Sequence, residues 1–337
     1  MSQRSVDSVR LQDIAYAYRH SAVLIAAVEL GLFTLIAQGV DTIARLATAL
    51  DISPTNAERL LMACAALGLV VPDGQRFTNT ADVQKFLVKG EKGYAGPWIL
   101  MARADREQWS RLAEYLRSKE PPRLLGMYES FTVEDARRLH EATYSIGMGA
   151  GRRFVRHVDL LKRRRILDLG GGSGCYCIAA AQAHPNIRGL VLDLPPVTEV
   201  TREFIAQHGL SDRIEAQAGD FTRDPFPNDV DVVIMASNLP QYSREIILQV
   251  VRKAYDALLP GGEMHLIGEM LRNDHKGPIG PALWGLNEAL YGSTGVAHSA
   301  ADAVGYLERA GFVDVAAHEF IPGSLTRVSG TKPRTDR

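Results

Sequence analysis

Cysteine is scarce in this 337-residue chain, which contains only Cys64, Cys175 and Cys177. An odd number of cysteines without a paired spacing excludes a disulfide framework and predicts a reducing, cytoplasmic environment. Cys175 and Cys177 form a C-x-C pair, but a metal site would need further ligands nearby and the sequence offers none. We therefore expect these two thiols to pack as small buried side chains, and we predict no metal.

Net charge is also lacking, since 38 basic residues are balanced by 39 acidic residues. A chain this neutral has no electrostatic reason to bind nucleic acid or an anionic membrane. No apolar run approaches the ~20 residues that a membrane span requires. The first residues, Met1-Ser2-Gln3-Arg4, lack the apolar core of a signal peptide. The expected partner is a small molecule, with no nucleic acid and no membrane.

The chain is too long for one compact core, so two domains are expected. Residues 9–90 have the pattern of short helices followed by a hairpin around Asp73-Gly74, which predicts a winged-helix arrangement. Such a domain can bind DNA, but the helix from Ser53 to Leu67 carries only Glu58 and Arg59 as charges. A groove-reading helix usually presents several basic or amide side chains. Its apolar side chains instead favour dimerisation.

The middle of the chain, from about 95 to 160, has a helical pattern with breaks. A long helix is predicted from Glu134 to about His157. Gly147, Gly149 and Gly151 interrupt this pattern, and each glycine in a helix interior costs ~1 kcal/mol. Three glycines in five residues indicate close approach of a ligand or of another backbone, or a break in the helix.

The remainder alternates between strand and helix patterns and ends in a hairpin. This order predicts a doubly wound α/β sheet with an antiparallel edge. The predicted strands are Arg165–Leu169, Gly189–Asp193, Ile214–Ala218, Val230–Ala236, Glu263–Glu269, Val313–Phe320 and Ser324–Gly330.

A glycine-rich loop follows the first of these strands. The strand contains Asp168 and leads directly into a loop with Gly170, Gly172 and Gly174. Glycine permits a tight turn and close approach of the backbone to a ligand, and the next helix begins with free N–H groups. This predicts a nucleotide-type cofactor site. The spacing lacks the later third glycine of a dinucleotide fingerprint and the G-K-[ST] ending of a phosphate-binding loop.

Two further acidic positions follow strands in the same half of the chain. Asp193 ends the second strand, where a carboxylate can accept hydrogen bonds from both ribose hydroxyls. Gly219-Asp220-Phe221 follows the third strand and brings an acid and an aromatic ring to the place expected for an adenine. With Asp168 and its glycines, the pattern D-x-G-x-G-x-G resembles the first motif of S-adenosylmethionine (SAM)-dependent methyltransferases.

Nearly the whole chain is similar to the homodimeric small-molecule O-methyltransferases typified by the plant phenolic enzymes. The further motifs are Leu192-Asp193-Leu194-Pro195, Leu259-Pro260-Gly261-Gly262 and Ala310-Gly311-Phe312. The resemblance implies a Rossmann-like seven-stranded sheet preceded by an all-α, winged-helix-like dimerisation domain. It implies a dimerisation domain over 1–105, interdomain helices over 106–160 and a SAM-binding catalytic domain over 161–337. The implied cofactor-binding residues are Asp168, Gly170, Gly172, Gly174, Asp193, Leu194, Asp220, Phe221 and Ser237.

The chain departs from this family at the catalytic base. The family's histidine, which takes the proton from a substrate hydroxyl, falls on Pro240, or on Gln241 after a one-residue shift. Neither side chain can act as a base. Ala297 replaces a glutamate that orients the histidine, whereas Glu269 retains the other acidic position. The replacement candidates are Tyr242, Glu269, His298 and, on the fifth predicted strand, His265.

Loss of the histidine changes the chemistry that the sequence favours. A phenol attacks poorly until a positioned base removes its proton, which contributes about 10²–10⁴-fold. A thioether sulfur has no proton to lose and needs mainly positioning. We therefore expect S-methylation of 4-methylthio-2-hydroxybutyrate, and the segments Gly170–Tyr176 and Ala289–Gly295 resemble the bacterial S-methyltransferases of dimethylsulfoniopropionate synthesis. The alternatives are O- or C-methylation of an aromatic or tetrapyrrole natural product, and a winged-helix SAM-binding regulator.

Three groups of residues are predicted to bind the acceptor. His140, Tyr144 and Met148 share one face of the long helix at the position where the family sandwiches its substrate. Gln241 and Tyr242 lie in the altered loop. A third group is spaced for one helix face and consists of Trp284, Asn287, Glu288 and Tyr291. Arg106 and Arg327 are candidates for pairing with an acidic acceptor.

Overall fold

The computed structural model describes residues 7–334. The chain divides into two compact units, the first ending at Arg106 and the second beginning at Glu107. Residues 106–160, which the sequence assigns to interdomain helices, therefore fall almost entirely within the second unit. No helix in the described part of the chain is both long and apolar enough to span a membrane.

The first unit consists of short helices and one hairpin. Its elements are α1 (Val9–Tyr16), α2 (Tyr18–Glu29), α3 (Leu32–Ala37), α4 (Ile43–Leu50), α5 (Pro54–Ala66), β1 (Val70–Asp73), β2 (Arg76–Asn79), α6 (Ala81–Phe86) and the first part of α7 (Gly96–Ser110). The predicted helix start is confirmed, because the Ser53 side chain accepts a hydrogen bond from the Asn56 N–H. The predicted hairpin is confirmed as well, with Asp73 paired to Arg76.

The second unit alternates helices and strands. After the end of α7 come α8 (Leu112–Tyr115), α9 (Val133–His157), β3 (Arg165–Leu169), α10 (Cys175–Ala183), β4 (Arg188–Asp193), α11 (Pro195–Gln207), β5 (Ile214–Ala218), β6 (Val230–Ala236), α12 (Arg244–Ala257), β7 (Leu258–Gly268), α13 (Ile279–Asn287), α14 (Ala300–Ala310), β8 (Val313–Ile321) and β9 (Leu325–Thr331). Short 3-10 turns cover Gly126–Ser130, Leu239–Gln241 and Glu288–Leu290.

The strands described in this unit form a seven-stranded sheet in the order β5-β4-β3-β6-β7-β9-β8. β3 to β7 are parallel, and β9 runs antiparallel to both β7 and β8. The predicted α/β sheet with an antiparallel edge is confirmed. The chain order reverses between β3 and β6, and in such sheets ligands bind at the carboxyl ends of the strands beside this switch point.

The long helix α9 runs unbroken through its three glycines, and of the predicted alternatives the structure shows close approach of another backbone. It begins with a capping box in which Thr132 and Asp135 exchange hydrogen bonds. A Cβ at Gly147 would lie 2.9 Å from Cys175 Sγ, and one at Gly151 would lie 2.6 Å from the Cys175 carbonyl oxygen. The glycines let α9 pack closely on α10. Packing energy thus offsets the propensity cost of the glycines.

One difference from the prediction concerns the helix face from Trp284 to Tyr291. α13 ends at Asn287, and Glu288 begins a 3-10 turn. Trp284 is 41% exposed whereas Glu288 is 8% exposed. The residues therefore do not share one face. By contrast, the C-x-C pair packs as expected, since Cys175 and Cys177 are buried free thiols.

Candidate active site

The glycine loop after β3 takes a backbone path that side chains would block. Gly170, Gly172 and Gly174 have φ of 60°, 56° and 74°, a left-handed region that favours glycine. A Cβ on Gly170 would lie 2.8 Å from the Asn238 amide nitrogen and 2.9 Å from a ring carbon of Phe221. Asn238 and Phe221 therefore pack directly against the loop at the switch point.

Asp168 lies directly beneath this loop. The side chain is fully buried, and neither carboxylate oxygen has a hydrogen-bond partner among the described residues. Burial, with a further contribution from the charge of Asp193, raises the pKa of Asp168 to about 8. A buried acid without a partner is costly unless a ligand supplies a donor or a positive charge.

Asp193 ends β4 with its carboxylate aimed at the loop. One oxygen accepts a hydrogen bond from the Gly172 N–H and the other from the Leu194 N–H, both at 2.8 Å. Burial raises the pKa of Asp193 to about 6, against the lowering effect of these two N–H groups. Each oxygen keeps a second lone pair, so the carboxylate can still accept from a pair of hydroxyls.

The third signal lies next to Asp193, because the Gly219 N–H donates to the Asp193 carbonyl at 2.8 Å. Asp220 accepts hydrogen bonds from both the N–H and the hydroxyl of Thr222. Phe221 is buried, with its ring edge-to-face with that of Tyr242 at 5.4 Å. The predicted acid, Asp220, and the predicted ring, Phe221, therefore lie beside the end of β4, the strand that carries Asp193.

The end of β6 completes this edge. Ser237 has φ of 60°, and its N–H donates to the Ile267 carbonyl at 2.8 Å. The buried Asn238 donates to the carbonyls of Leu169 and Ala236, both at 3.0 Å, and so ties β6 to the start of the glycine loop. The sequence analysis missed Asn238, although its position directly after a strand end was the available signal.

The residues predicted on α9 separate in the structure. His140 faces the loop, since a Cβ on Gly172 would lie 2.5 Å from its ring, and burial lowers its pKa to about 4. Tyr144 instead stacks on Phe204 at 4.5 Å, and its hydroxyl pairs with His208. Met148 is buried in the core beside α10. Only His140 of the three lies against the glycine loop.

The turn that replaces the family's histidine lies in a cluster of polar side chains, at the place where the acceptor pocket is predicted. Pro240 and Gln241 lie in a 3-10 turn, and Gln241 Nε2 donates to the Tyr128 hydroxyl at 3.3 Å. Burial raises the pKa of Tyr128, and the charges of Asp193 and Glu288 raise it further. Tyr128 therefore lies within electrostatic reach of both carboxylates. Tyr128 is not among the residues predicted from the sequence, and no sequence pattern around it indicates a site.

Glu288 lies on the other side of the same turn. Its Oε2 accepts a hydrogen bond from the Ser293 hydroxyl at 2.5 Å, and that hydroxyl accepts from the Gly295 N–H at 3.0 Å. A Cβ on Gly295 would overlap the Pro240 carbonyl oxygen and would lie 2.6 Å from Glu288 Cγ. Glu288 and the turn are thus separated only by the backbone of one glycine. Burial raises the pKa of Glu288.

Both ring nitrogens of His298 are paired, whereas buried His265 keeps an Nε2 without a hydrogen-bond partner among the described residues. His298 is buried, its Nδ1 pairs with the Tyr306 hydroxyl at 2.8 Å, and its Nε2 donates to the Tyr242 carbonyl at 3.1 Å. This geometry corrects the suggestion that it could replace the base, because it holds the loop instead. His265 lies between Arg327 at 3.2 Å and Glu263 at 3.4 Å.

The remaining candidates occupy separate places. Burial raises the pKa of Glu269, and its charge in turn raises that of the buried Tyr176. Ala297 packs so closely on Gly285 that a side chain there would overlap its backbone. Arg106 places its guanidinium 5.0 Å from the ring of Tyr18 in the first unit.

The cradle fits SAM. Asp168 can accept from the ammonium of its methionine part, Asp193 can hold the ribose hydroxyls, and Asp220 with Phe221 can flank the adenine. Glycine at positions 170 and 172 adds no Cβ to the crowded space beside Asn238, Phe221 and His140, so the backbone itself can approach a ligand. A Rossmann-like sheet with this cradle at its switch point defines a class I SAM-dependent methyltransferase.

Comparison with known proteins identifies the family. Residues 110–313 match the O-methyltransferase domain, and residues 12–89 match the O-methyltransferase dimerisation domain. The chain is 34% identical over 328 residues to the 3-hydroxy-5-methyl-1-naphthoate 3-O-methyltransferase of Streptomyces sahachiroi, covering 96% of this chain and 94% of that protein. It therefore belongs to the family of SAM-dependent small-molecule O-methyltransferases, and SAM is its cofactor.

Two further similarities extend this result. The L-tyrosine C(3)-methyltransferase of Streptomyces lavendulae is 37% identical over 164 residues, which is 48% of this chain and 45% of that protein. The structure of human N-acetylserotonin methyltransferase with SAM shares the fold, with a TM-score of 0.78 at 24% identity, covering 99% of this chain and 100% of that one.

Proposed function

We propose that this protein transfers the methyl group of SAM to a small phenolic acceptor, at the hydroxyl oxygen or at a neighbouring ring carbon. The observation that carries the proposal is the cluster beside the Pro240–Gln241 turn, where Gln241 is hydrogen-bonded to Tyr128 and Glu288 is close enough to raise the pKa of that phenol. We take this cluster as the acceptor pocket. The named relatives support the acceptor class, since one methylates the hydroxyl of a naphthoate and the other a carbon of tyrosine.

The pocket does not favour the thioether acid that the sequence analysis preferred. Its carboxyls are Asp193 and Glu288, and both lie close enough to Tyr128 to raise the pKa of that phenol. These groups disfavour a carboxylate on any acceptor, on a hydroxynaphthoate as well as on 4-methylthio-2-hydroxybutyrate, and favour a neutral phenol. Arg327, one of the candidates to pair with such an acid, points at His265 instead.

The residues around the pocket divide the work of catalysis. SAM supplies an electrophilic methyl group on a sulfonium sulfur. Asp168, Asp193 and the glycine loop hold it, while Tyr128, Gln241 and Glu288 orient the acceptor. Accurate positioning of the two reactants contributes several kcal/mol by itself.

The test is incubation with deuteromethyl-labelled SAM and a mixed panel of acceptors, followed by mass spectrometry. The panel contains hydroxynaphthoates, tyrosine, catechols, a chlorophyllide and 4-methylthio-2-hydroxybutyrate. Label on a phenolic oxygen or its ring supports the proposal. A labelled sulfonium with no labelled phenol would overturn it and restore the thioether assignment.

The match of residues 12–89 to a dimerisation domain also supports a homodimer. Helix α1 has no buried residue, and Val9, Leu11 and Ile14 are each about 60% exposed. An apolar helix surface of this kind is typical of a protein interface. We therefore propose that two copies of the chain associate through the first unit.

A further inference from the structure

The side chain of Glu288 lies close to the altered turn. It is 8% exposed, and the backbone of Gly295 alone separates it from Pro240. Pro240 occupies the position of the family's base, so Glu288 borders the space where a proton must be accepted. A carboxyl buried to this degree is costly unless it has a specific use.

The surroundings of Glu288 suit a group that exchanges a proton. Ser293 donates to Oε2 and holds the carboxyl in one orientation. The hydroxyl of Thr294, the residue after Ser293, is buried without a hydrogen-bond partner among the described residues. The neighbouring titratable groups are Tyr128 and Tyr242 across the pocket, Tyr291 on the same segment, and Asp193 beyond the two phenols.

The basic side chain of Arg123 does not form an ion pair with the carboxyl. Arg123 pairs through its backbone with Gly292, but its guanidinium lies 4.0 Å from Glu129. Burial raises the pKa of Glu288, while the Ser293 hydrogen bond opposes that rise. Burial is the larger effect, so the pKa of Glu288 moves upward, toward the range in which a carboxylate is an effective base near neutral pH.

We propose that Glu288 is a catalytic residue that accepts the hydroxyl proton of the phenolic acceptor, an inference that rests on the function proposed above. The acceptor O–H bond breaks and its proton moves to a Glu288 oxygen. The released electron pair forms the new bond to the methyl carbon, at oxygen or through the ring at the neighbouring carbon. The carbon–sulfur bond of SAM breaks with its electrons left on sulfur, giving S-adenosylhomocysteine.

The proton balance is the same for both positions of methylation. After methylation at carbon, the hydrogen on that ring carbon leaves as a proton and the oxygen regains one. Glu288 then releases its proton to water, so each turnover yields one methylated product, one S-adenosylhomocysteine and one proton.

The experiment compares kcat against pH for the wild type, Glu288→Gln and Ser293→Ala, using a phenol that the labelling panel has shown to be methylated. Glu288→Gln is expected to lower kcat by about 10²–10⁴-fold and to remove the acidic limb of the profile. Ser293→Ala removes a hydrogen bond to the ionised carboxyl, so its acidic limb should move to higher pH.

A nitro-substituted phenol is already ionised at the assay pH. It distinguishes a catalytic role of Glu288 from a structural one, because only the catalytic role predicts different losses of kcat for the two phenols. It should lose far less kcat in Glu288→Gln than the unsubstituted phenol, because it has no proton to give up. Binding of S-adenosylhomocysteine, measured by calorimetry, should remain unchanged in both variants. Glu308→Gln, an exposed carboxyl on α14, serves as the control.

Retention of wild-type kcat and an unchanged acidic limb in Glu288→Gln would overturn the inference while leaving the proposed function intact. An equal loss for both phenols would also overturn it. If the wild type methylates no phenol in the panel, the proposed function itself has failed, so the two failures are distinguishable. Should Glu288→Gln not fold, the pH shift in Ser293→Ala decides the question.

Discussion

At the residue scale, the most informative side chain is Asp168. Burial of its carboxyl beneath the glycine loop is unfavourable for folding but favourable for binding a ligand. Its pKa is raised to about 8 by burial, whereas an unfolded aspartate ionises near 3.9. The folded state therefore binds an extra proton between these values. The contribution of Asp168 to the free energy of unfolding is therefore full below about pH 4 and is lost as the pH rises toward 8.

Asp168→Asn tests this residue. Without the carboxyl, the free energy of unfolding of the unliganded protein should decline less between pH 4 and 8 than in the wild type, as measured by urea denaturation, and the remaining slope should come from other shifted groups such as Asp193 and His140. Affinity for S-adenosylhomocysteine should fall by about 10–100-fold, since a charge-assisted hydrogen bond contributes about 1.5–3 kcal/mol. Asp212→Asn, at an exposed carboxyl, should change neither quantity.

Glycine at position 172 is the second residue-scale test, and Gly209 offers a matched control. Both have positive φ, but a Cβ on Gly172 would strike His140 whereas one on Gly209 meets nothing within 4 Å. Alanine at either position should cost on the order of 1 kcal/mol of stability. Only Gly172→Ala should also weaken SAM binding by calorimetry. Equal binding losses would show that backbone strain, not the loop's fit, is responsible.

Some residues of the site could be predicted from the sequence, and others could not. Asp168, Asp193 and Phe221 lie at or just after the ends of predicted parallel strands. The carboxyl ends of such strands have the same geometry from one strand to the next, so these residues could be predicted. Tyr128 and Asn238 could not be found in this way, because their roles depend on contacts with residues about 113 and 69 positions away. The roles of all these residues in binding stay predictions until ligand binding is measured.

At the element scale, α9 shows how packing overrides propensity. Gly151 contacts the Cys175 carbonyl and Gly149 lies in open space on the exposed side of the same helix. Gly151→Ala should destabilise the protein by about 1–3 kcal/mol through overpacking against α10. Gly149→Ala should stabilise it by up to about 1 kcal/mol, because alanine favours the helix.

Chemical denaturation of the two variants measures both effects in one series. Opposite signs are expected for two substitutions that are only two residues apart. Destabilisation by both would mean that the helix needs flexibility at this point, which contradicts the close-packing explanation. The sequence analysis treated the three glycines alike, since it could not assign them to opposite faces of a helix with known neighbours.

At the scale of the whole molecule, the proposed homodimer makes its own prediction. Ile14→Glu places a charge in the exposed apolar surface of α1, where burial of an unpaired charge is strongly unfavourable. Sedimentation analysis should show a shift from dimer to monomer at low protein concentration. Leu161→Glu changes an equally apolar residue that is 81% exposed outside the dimerisation domain, and it should leave assembly unchanged. A monomeric wild type would refute the proposal directly.

The sequence by itself determined the sheet, the cofactor and the family, while the tertiary structure decided which candidates share a pocket. Strand periodicity, the glycine spacing and the acids at strand ends are local signals, because each reflects the geometry of a single element or turn. Whether His298 is available as a base, or whether Glu288 lies beside Pro240, depends on contacts between distant segments. Such contacts are set by packing of the complete core, which no short stretch of sequence encodes.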